Sequence, residues 1–297
     1  TFFAIIFAAD EGDDWKDPRT WWKANPNLGV SVKPDYMREQ CERAKTQPTF
    51  LNTFLRLHLN VWTQQVTRWI DVDRWKACGA MVPSLEMCRG RPAYVGLDLS
   101  TKKDMTAVAF AMPTNGGVYD FLWKFYVPEE LVRARTKLGH KPDYSAWVRD
   151  GWLTVTPGNV IDYDFIRRDL KYIGGILRLQ QVAFDPWNSS QFAVQLQDDG
   201  FNLVEMRQGM KTLSEPSKEF EKLVISGRIR HGGNPVMQWM VDNAAVRHDA
   251  NDNIAPDKRS AAGKIDGVLA SIMALARAIV EPEQKPSVYT SRGVRTV

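Results

Sequence analysis

The order of apolar segments predicts an α/β fold built on a mixed sheet, and three observations carry the prediction. First, residues 94–100, 106–112 and 118–127 are rich in β-branched and aromatic residues and are broken by the polar turns TKKD and PTNGG. That is the pattern of a three-strand meander. Second, the short apolar runs WLTVTPG, QQVAFDP and FNLVEMRQ alternate with helical stretches such as VIDYDFIRRDLKYIGGILRL and SSQFAVQLQDDG. Such alternation implies parallel strands joined by helical crossovers. Third, the last third of the sequence reads as helices flanking that sheet, over 215–226, 236–248 and 261–280.

Taken in order, TFFAIIFAAD (1–10) predicts a buried strand, followed by a polar, tryptophan-rich loop with turn signals at Asp17-Pro18 and Asn25-Pro26. The stretch 33–59 predicts helix, with Pro34 in the first turn and Met37, Cys41, Ala44, Phe54, Leu55 and Leu59 toward a core. LNVWTQQVTRWIDVDRWKACGAMVPSL reads as a connector, and Arg89-Gly90-Arg91-Pro92 as a domain boundary. The expected division is 1–89, 90–281 and a loose tail over 282–297 that contains Pro282 and Pro286. A helical region is expected over 128–150. Asp162 is a predicted N-cap, as is Ser189 or Ser190, and Gly200 a helix terminator.

Bulk properties narrow the function classes. With 297 residues and 44% hydrophobic content the chain can bury one large core or two modest ones. No apolar run approaches the ~18–20 residues that span a bilayer, and TFFAIIFAAD lacks the basic start of a signal peptide. An opening at Thr1, directly into an apolar run, suggests a piece of a longer protein. Cys41, Cys78 and Cys88 form no CxxC pair, which argues against a zinc site or a disulfide framework and fits a reducing cytoplasm. A net charge of +4 and a pI near 8.9 permit a polyanionic partner without demanding one.

Three carboxylates stand where carboxylates are costly. Asp98 interrupts the apolar strand YVGLDLS, and a buried carboxylate without a partner costs several kcal/mol or takes a raised pKa. Gly96, on the same strand face, leaves room for a ligand; the alternative is an aspartate turning the chain at a strand end. Asp185 ends QQVAFD before Pro186, where strands of α/β sheets deliver residues to a crevice, although Asp-Pro also starts turns. Asp266 lies beside the apolar stripe Ile265, Val268, Leu269, Ile272, Ala276, Ile279, with Gly267 next to it. Its alternative role is a carboxylate interacting with a helix dipole. Together the three suit one edge of a mixed sheet, and oxygen ligands select Mg²⁺ or Mn²⁺ rather than zinc. Two such ions ~3.5–4 Å apart are the apparatus of phosphodiester displacement.

From Tyr94 onward the sequence resembles the nuclease domain of the large terminase subunit of tailed double-stranded DNA bacteriophages, a ribonuclease H-like fold. The matching stretches are YVGLDLSTKKDMTAVAF, WLTVTPGNVIDYDFI, VAFDPWNSSQF, MRQGMKTLSEPSKEFEKLVISGRIRHGGNPVMQWMVDNAAV and KIDGVLASIMALARA. FAADEGDDWKDPRTWWKANPNLG and FLNTFLRLHLNVWT are similar to the end of that family's ATPase domain and its linker. No G-x-x-x-x-G-K-[ST] phosphate loop is present, so these residues do not encode a complete ATPase. The resemblance implies a metal-dependent endonuclease that cuts concatemeric viral DNA during packaging in the host cytoplasm. It places the acidic triad on Asp98, Asp185 and Asp266, with Asp98 bridging two metals. Portal protein, small terminase subunit and further copies of the chain are implied as partners.

Phosphate contacts require cations. Lys258, Arg259 and Lys264 precede the helix of Asp266 and are the favoured DNA-binding set; Arg207, Lys211, Lys218, Lys222, Arg228 and Arg230 form a second, looser group. Asp104, His231 and Asn243 are further candidates near the site, with turn-forming and structural roles as their alternatives. Two other functions compete. A DNA-clamping or motor-docking domain needs no cutting. An actin-like ATPase is suggested by GLDLSTKKDMTAV, but that fold needs a glycine-rich second turn where FDPWNSS stands.

Overall fold

A computed structural model of the chain describes residues 3–10, 12–46, 48–61, 69–100, 104–138, 142–187, 190–249 and 251–280. The chain forms two compact units, 1–68 with 260–262 and 69–259 with 263–297. The division falls at 68/69, so the tryptophan-bearing stretch 69–89 folds with the sheet unit that also contains Arg89–Pro92. The cap expected at Ser189 and the tail over 281–297 lie outside the described residues.

The first unit holds helices α1 (Pro18–Ala24), α2 (Pro34–Thr46) and α3 (Pro48–His58). Each opens on proline, whose fixed φ and missing N–H suit the first helical position. Asp17 caps α1 by accepting a hydrogen bond from Arg19 N at 2.9 Å. The core gathers Trp21, Leu28, Met37, Cys41, Ala44, Phe54 and Leu59, which includes most of the expected inward positions; Leu55 is partly buried. The strand expected over 1–10 is not formed by the described residues. Phe3 and Ile6 are 84% and 76% exposed. A strand needs a ladder partner for its N–H and C=O groups, and the described part of this segment has instead scattered bonds: Ala9 N to Leu59 O, Asn60 Nδ2 to Phe7 O, and a turn in which Asp10 and Asp13 bond each other.

The second unit begins with α4 (Val72–Cys78) and continues through β1 (Pro92–Asp98), β2 (Thr106–Thr114), β3 (Val118–Pro128), α5 (Glu129–Lys137), α6 (Tyr144–Arg149) and β4 (Thr154–Thr156). Then come α7 (Tyr163–Gly174), β5 (Arg178–Phe184), α8 (Ser190–Asp198), β6 (Leu203–Glu205), α9 (Met210–Ile225), β7 (Ile229–Arg230) and α10 (Pro235–Asn243). The two-stranded β8 (Val246–His248) and β9 (Ile254–Pro256) and the final helix α11 (Asp266–Val280) complete it. The main sheet runs β4-β3-β2-β1-β5-β6, with β7 beside β3. β1, β2 and β3 pair antiparallel as the expected meander, whereas β5 and β6 continue the sheet parallel to β1. The mixed α/β fold expected from the sequence is the one observed.

Local capping follows the sequence. Asp162 accepts from Asp164 N at 3.0 Å and starts α7. The helix expected over 236–248 stops early, because Ala244 is extended (φ −67°, ψ 128°) and its carbonyl accepts from Trp69 N at 3.1 Å. Residues 246–248 are thereby free to pair with β9. α9 starts at Met210, ahead of Glu215, and carries Pro216 inside it.

Val95 and Leu97 of β1 face a core shared with Ile166, Leu170 and Ile173 of α7 and Phe192 and Leu196 of α8. α11 covers the other face. It is not the half-buried helix its stripe predicts: every residue from Asp266 to Ala276 is buried, because β1 and β2 pack on one side and α9 and α10 on another. Gly96 makes this approach possible. A Cβ there would stand 2.0 Å from Ala270 O and 2.7 Å from Ala274 N. Likewise a Cβ on Gly267 would meet Phe125 Cε1 at 2.8 Å and the sulfurs of Met237 and Met240 at 2.9 Å. Gly96 therefore serves helix–sheet packing, not the ligand clearance expected of it, and Gly267 lets α11 pack on β3 and α10. Deeper along β3, the Asp120 side chain, 3% exposed, is clasped by Arg91 at 2.6 Å and Arg230 at 2.5 Å. No helix of the described residues is long and apolar enough to cross a membrane.

Candidate active site

Strand register brings the site together. Leu97 of β1 stands opposite Phe184 of β5, and Phe184 opposite Glu205 of β6, all in parallel. Three strands therefore end side by side, and the next positions are Asp98, Asp185 and the loop 206–209. This is the carboxyl edge at which α/β sheets bind ligands. Asp266, the first residue of α11, reaches the same edge because the close contact at Gly96 fixes the helix against β1.

The side chains are wired through one cation and one amide. Lys258 Nζ, carried by the turn after β9, donates to Asp98 Oδ2 at 2.9 Å and to Asp266 Oδ1 at 3.1 Å. Gln208 Nε2 donates to Asp98 Oδ1 at 2.8 Å, while Gln208 N donates to Asp185 Oδ2 at 3.3 Å. Trp187 N donates to Asp185 Oδ1 at 3.0 Å. Asp98 and Asp266 are buried, at 4% and 5% exposure, and Asp185 is half-buried. Burial, then the charge of Asp98, pushes the Asp266 carboxyl up to about 7 against the opposing pull of Lys258. Burial works against the Lys258 ammonium as well, but Asp98 and Asp266 outweigh it and hold the group above its ordinary range. Its side chain is 48% exposed even though the ammonium sits between two acids.

Among the described residues, no group of three or more His, Cys, Asp or Glu side chains is drawn close enough to hold one ion. The structure instead joins Asp98 and Asp266 through a lysine ammonium and links Asp185 through Gln208. The residues nonetheless suit a hard cation. Among the described residues Asp266 Oδ2 is buried without a hydrogen-bond partner, an unusual position for a carboxylate oxygen. A positive charge already occupies the space between Asp266 and Asp98, and every acidic donor is an oxygen.

The other sequence candidates separate clearly. Asp104 pairs with Lys264 at 2.6 Å, beside the central pair, and its charge adds to the upward shift of Asp266. Arg259 is exposed, its backbone N bonded to Asp257 at 3.0 Å. Arg230, one of the expected phosphate contacts, is instead committed to Asp120. His231 is structural: it stacks on Trp75 at 4.0 Å, bonds Trp75 O at 2.8 Å through Nε2, and accepts from Gly233 N at 3.1 Å through Nδ1. Burial lowers its pKa. Asn243 Nδ2 is buried without a partner among the described residues, next to Gly263. Sequence reasoning missed Gln208. The signal was available, because it follows the third parallel strand as Asp98 and Asp185 end the first two.

Comparisons agree with this architecture. Residues 1–282 match the model of the family described as "Terminase large subunit, endonuclease domain". The chain is 36% identical over 275 residues to the terminase large subunit of Enterobacteria phage HK97, covering 92% of this chain and 54% of that protein. It is 34% identical over 306 residues to protein YmfN of Escherichia coli (strain K12), covering 99% and 67%. The crystal structure of the HK97 large terminase superposes with a TM-score of 0.65 at 36% identity, over 91% of this chain and 56% of that one. The chain thus spans about half the length of the HK97 protein. By family match and by fold, it belongs to the endonuclease domain family of the terminase large subunit.

Proposed function

We propose that this chain hydrolyses phosphodiester bonds of double-stranded DNA with Asp98, Asp185 and Asp266 as ligands of two divalent cations, Mg²⁺ or Mn²⁺. The observation that carries the reading is the pairing of Asp98 and Asp266 across a single cation, with an orphaned oxygen on Asp266. When bound, the metal supplies Lewis acidity at the scissile phosphate and favours deprotonation of water there. The protein supplies position. Gln208 orients Asp98 through its side-chain amide, and with Trp187 it orients Asp185 through backbone N–H groups. Asp98 and Asp266 would hold the cation through the oxygens that Lys258 now bonds, and the Lys258 ammonium would remain a positive charge beside the bound phosphate. Arg259 extends that positive edge, and Lys264 would add to it on leaving Asp104. No covalent nucleophile is required. The products are a 3′-hydroxyl and a 5′-phosphate.

In the longer protein, the same reading makes this chain the cutter of concatemeric viral DNA during genome packaging in the host cytoplasm. It works in a homo-oligomeric motor with portal protein, small terminase subunit and the ATPase domain of the same protein, which these residues do not encode in full. The test is plasmid cleavage in Mn²⁺ by Asp98→Ala and Asp266→Asn variants, with metal binding followed by thermal shift. Loss of both cleavage and metal-induced stabilisation is expected. Undiminished cutting by Asp98→Ala would overturn the assignment.

A further inference from the structure

Beside Asp185 the sheet edge opens into a cleft of about 500 Å³ lined by Asp185, Pro186, Trp187, Arg207, Gln208 and Gly209. Its volume lies within the ~300–1,000 Å³ of sites that hold small ligands. Both walls are anchored to one carboxylate: Trp187 N donates to Asp185 Oδ1 and Gln208 N to Asp185 Oδ2. The two walls are therefore pre-positioned on opposite sides of a candidate metal ligand. One wall carries an indole that is 81% exposed, the most exposed tryptophan of the described residues. The other carries the exposed Arg207 and ends in Gly209, which has no side chain to cap the 16-residue helix α9. The positive end of that helix adds to the arginine charge.

An exposed tryptophan and an exposed arginine lining one cleft suit a ligand with a flat apolar ring and a phosphate. We infer that this cleft takes one nucleotide of the cut strand, next to the scissile phosphate, with its base stacked on Trp187 and its phosphate on Arg207. The inference rests on the nuclease reading and adds a substrate preference to it. A base reaches an indole face only when it has left the duplex stack, so the cleft favours single-stranded or locally opened DNA over intact duplex. Trp187 and Arg207 are positioning residues, and Asp185 faces the substrate from the floor between them.

The experiment measures binding of the full chain to a fluorescent single-stranded oligonucleotide and to the corresponding duplex, in EDTA, for wild type, Trp187→Ala, Trp187→Phe and Arg207→Gln. Stacking contributes about 1–3 kcal/mol per base. Trp187→Ala is therefore expected to weaken single-strand affinity ~5- to 150-fold with a smaller loss on duplex, and Trp187→Phe to restore most of it. Arg207→Gln should weaken both and lower the salt dependence on single strands by about one phosphate contact. Wild-type single-strand affinity in Trp187→Ala, or equal losses on single strand and duplex, would overturn the inference. Plasmid cleavage by Asp98→Ala keeps the two readings apart. If that variant does not cut while Trp187→Ala binds normally, only the cleft assignment fails; if it cuts, the nuclease site itself fails.

Discussion

Two buried acidic centres in the second unit have opposite charge balance. At Asp120, one carboxylate meets two guanidiniums, Arg91 and Arg230. At the sheet edge, two carboxylates, Asp98 and Asp266, share one ammonium, Lys258, and Asp266 Oδ2 has no partner among the described residues. The first centre is electrostatically complete and ties β3 to β7 and to the approach of β1. The second is short of positive charge. A group buried with its interactions satisfied stabilises a fold, whereas a buried excess of acid stores an affinity for cations. The comparison separates a structural ion cluster from a candidate catalytic one without reference to any ligand.

Substitutions should divide along the same line. The largest effect is expected from Asp98→Ala, which should lower DNA cleavage on the order of 1,000-fold or more, since metal-assisted charge stabilisation is worth several kcal/mol. Initial-rate assays on plasmid in Mn²⁺ measure it. Asp120→Ala should do the reverse. Removing the shared partner of two arginines costs about 3 kcal/mol, a fall of ~10 °C in the melting temperature, while cleavage per folded molecule persists below that temperature.

A smaller and opposite stability change is expected from Asp266→Asn. Its carboxyl is pushed up to about 7 by burial and then by Asp98, against about 3.9 in an unfolded chain. The folded state thus holds this proton more tightly than the unfolded state. The group favours folding below about pH 4, and that contribution is lost as pH rises through about 7. In EDTA, Asp266→Asn should therefore raise the melting temperature by roughly 5 °C at pH 8 and change it little at pH 4. An unchanged pH profile in scanning calorimetry would break the contrast with Asp120. The smallest effect is expected from Lys258→Met, which removes the competing charge and should lower the Mn²⁺ concentration for half-maximal thermal shift severalfold. Calorimetric titration of the metal sharpens that comparison.

The meander, the parallel crossovers and the α7 cap were legible because strand period, turn residues and Asp162 are local signals. The first ten residues misled for a related reason: apolar content resembles a strand, but a strand exists only where a partner ladder is available. Helix 236–248 was read too long because its stop is a non-local hydrogen bond from Trp69 to Ala244. At the site, Asp98, Asp185 and Asp266 were visible as acids in apolar settings. Gln208 was not, since an amide in a polar loop is not costly as a buried acid is, and only its place after the third parallel strand points to it. The role of Gly96 was inverted because only coordinates show that α11 occupies the space above it, just as Phe125, Met237 and Met240 fill the space beside Gly267.

By itself the sequence determined the type of most elements of the second unit, the mixed sheet and which acids are costly to bury, because periodicity and transfer free energy act on each segment alone. Only the tertiary structure decided that Lys258 stands between two acids, that Arg230 belongs to Asp120 and that Gln208 links two strand ends. Those pairings depend on strand register and on how closely a helix approaches a sheet. Both are set by contacts between residues far apart in the chain.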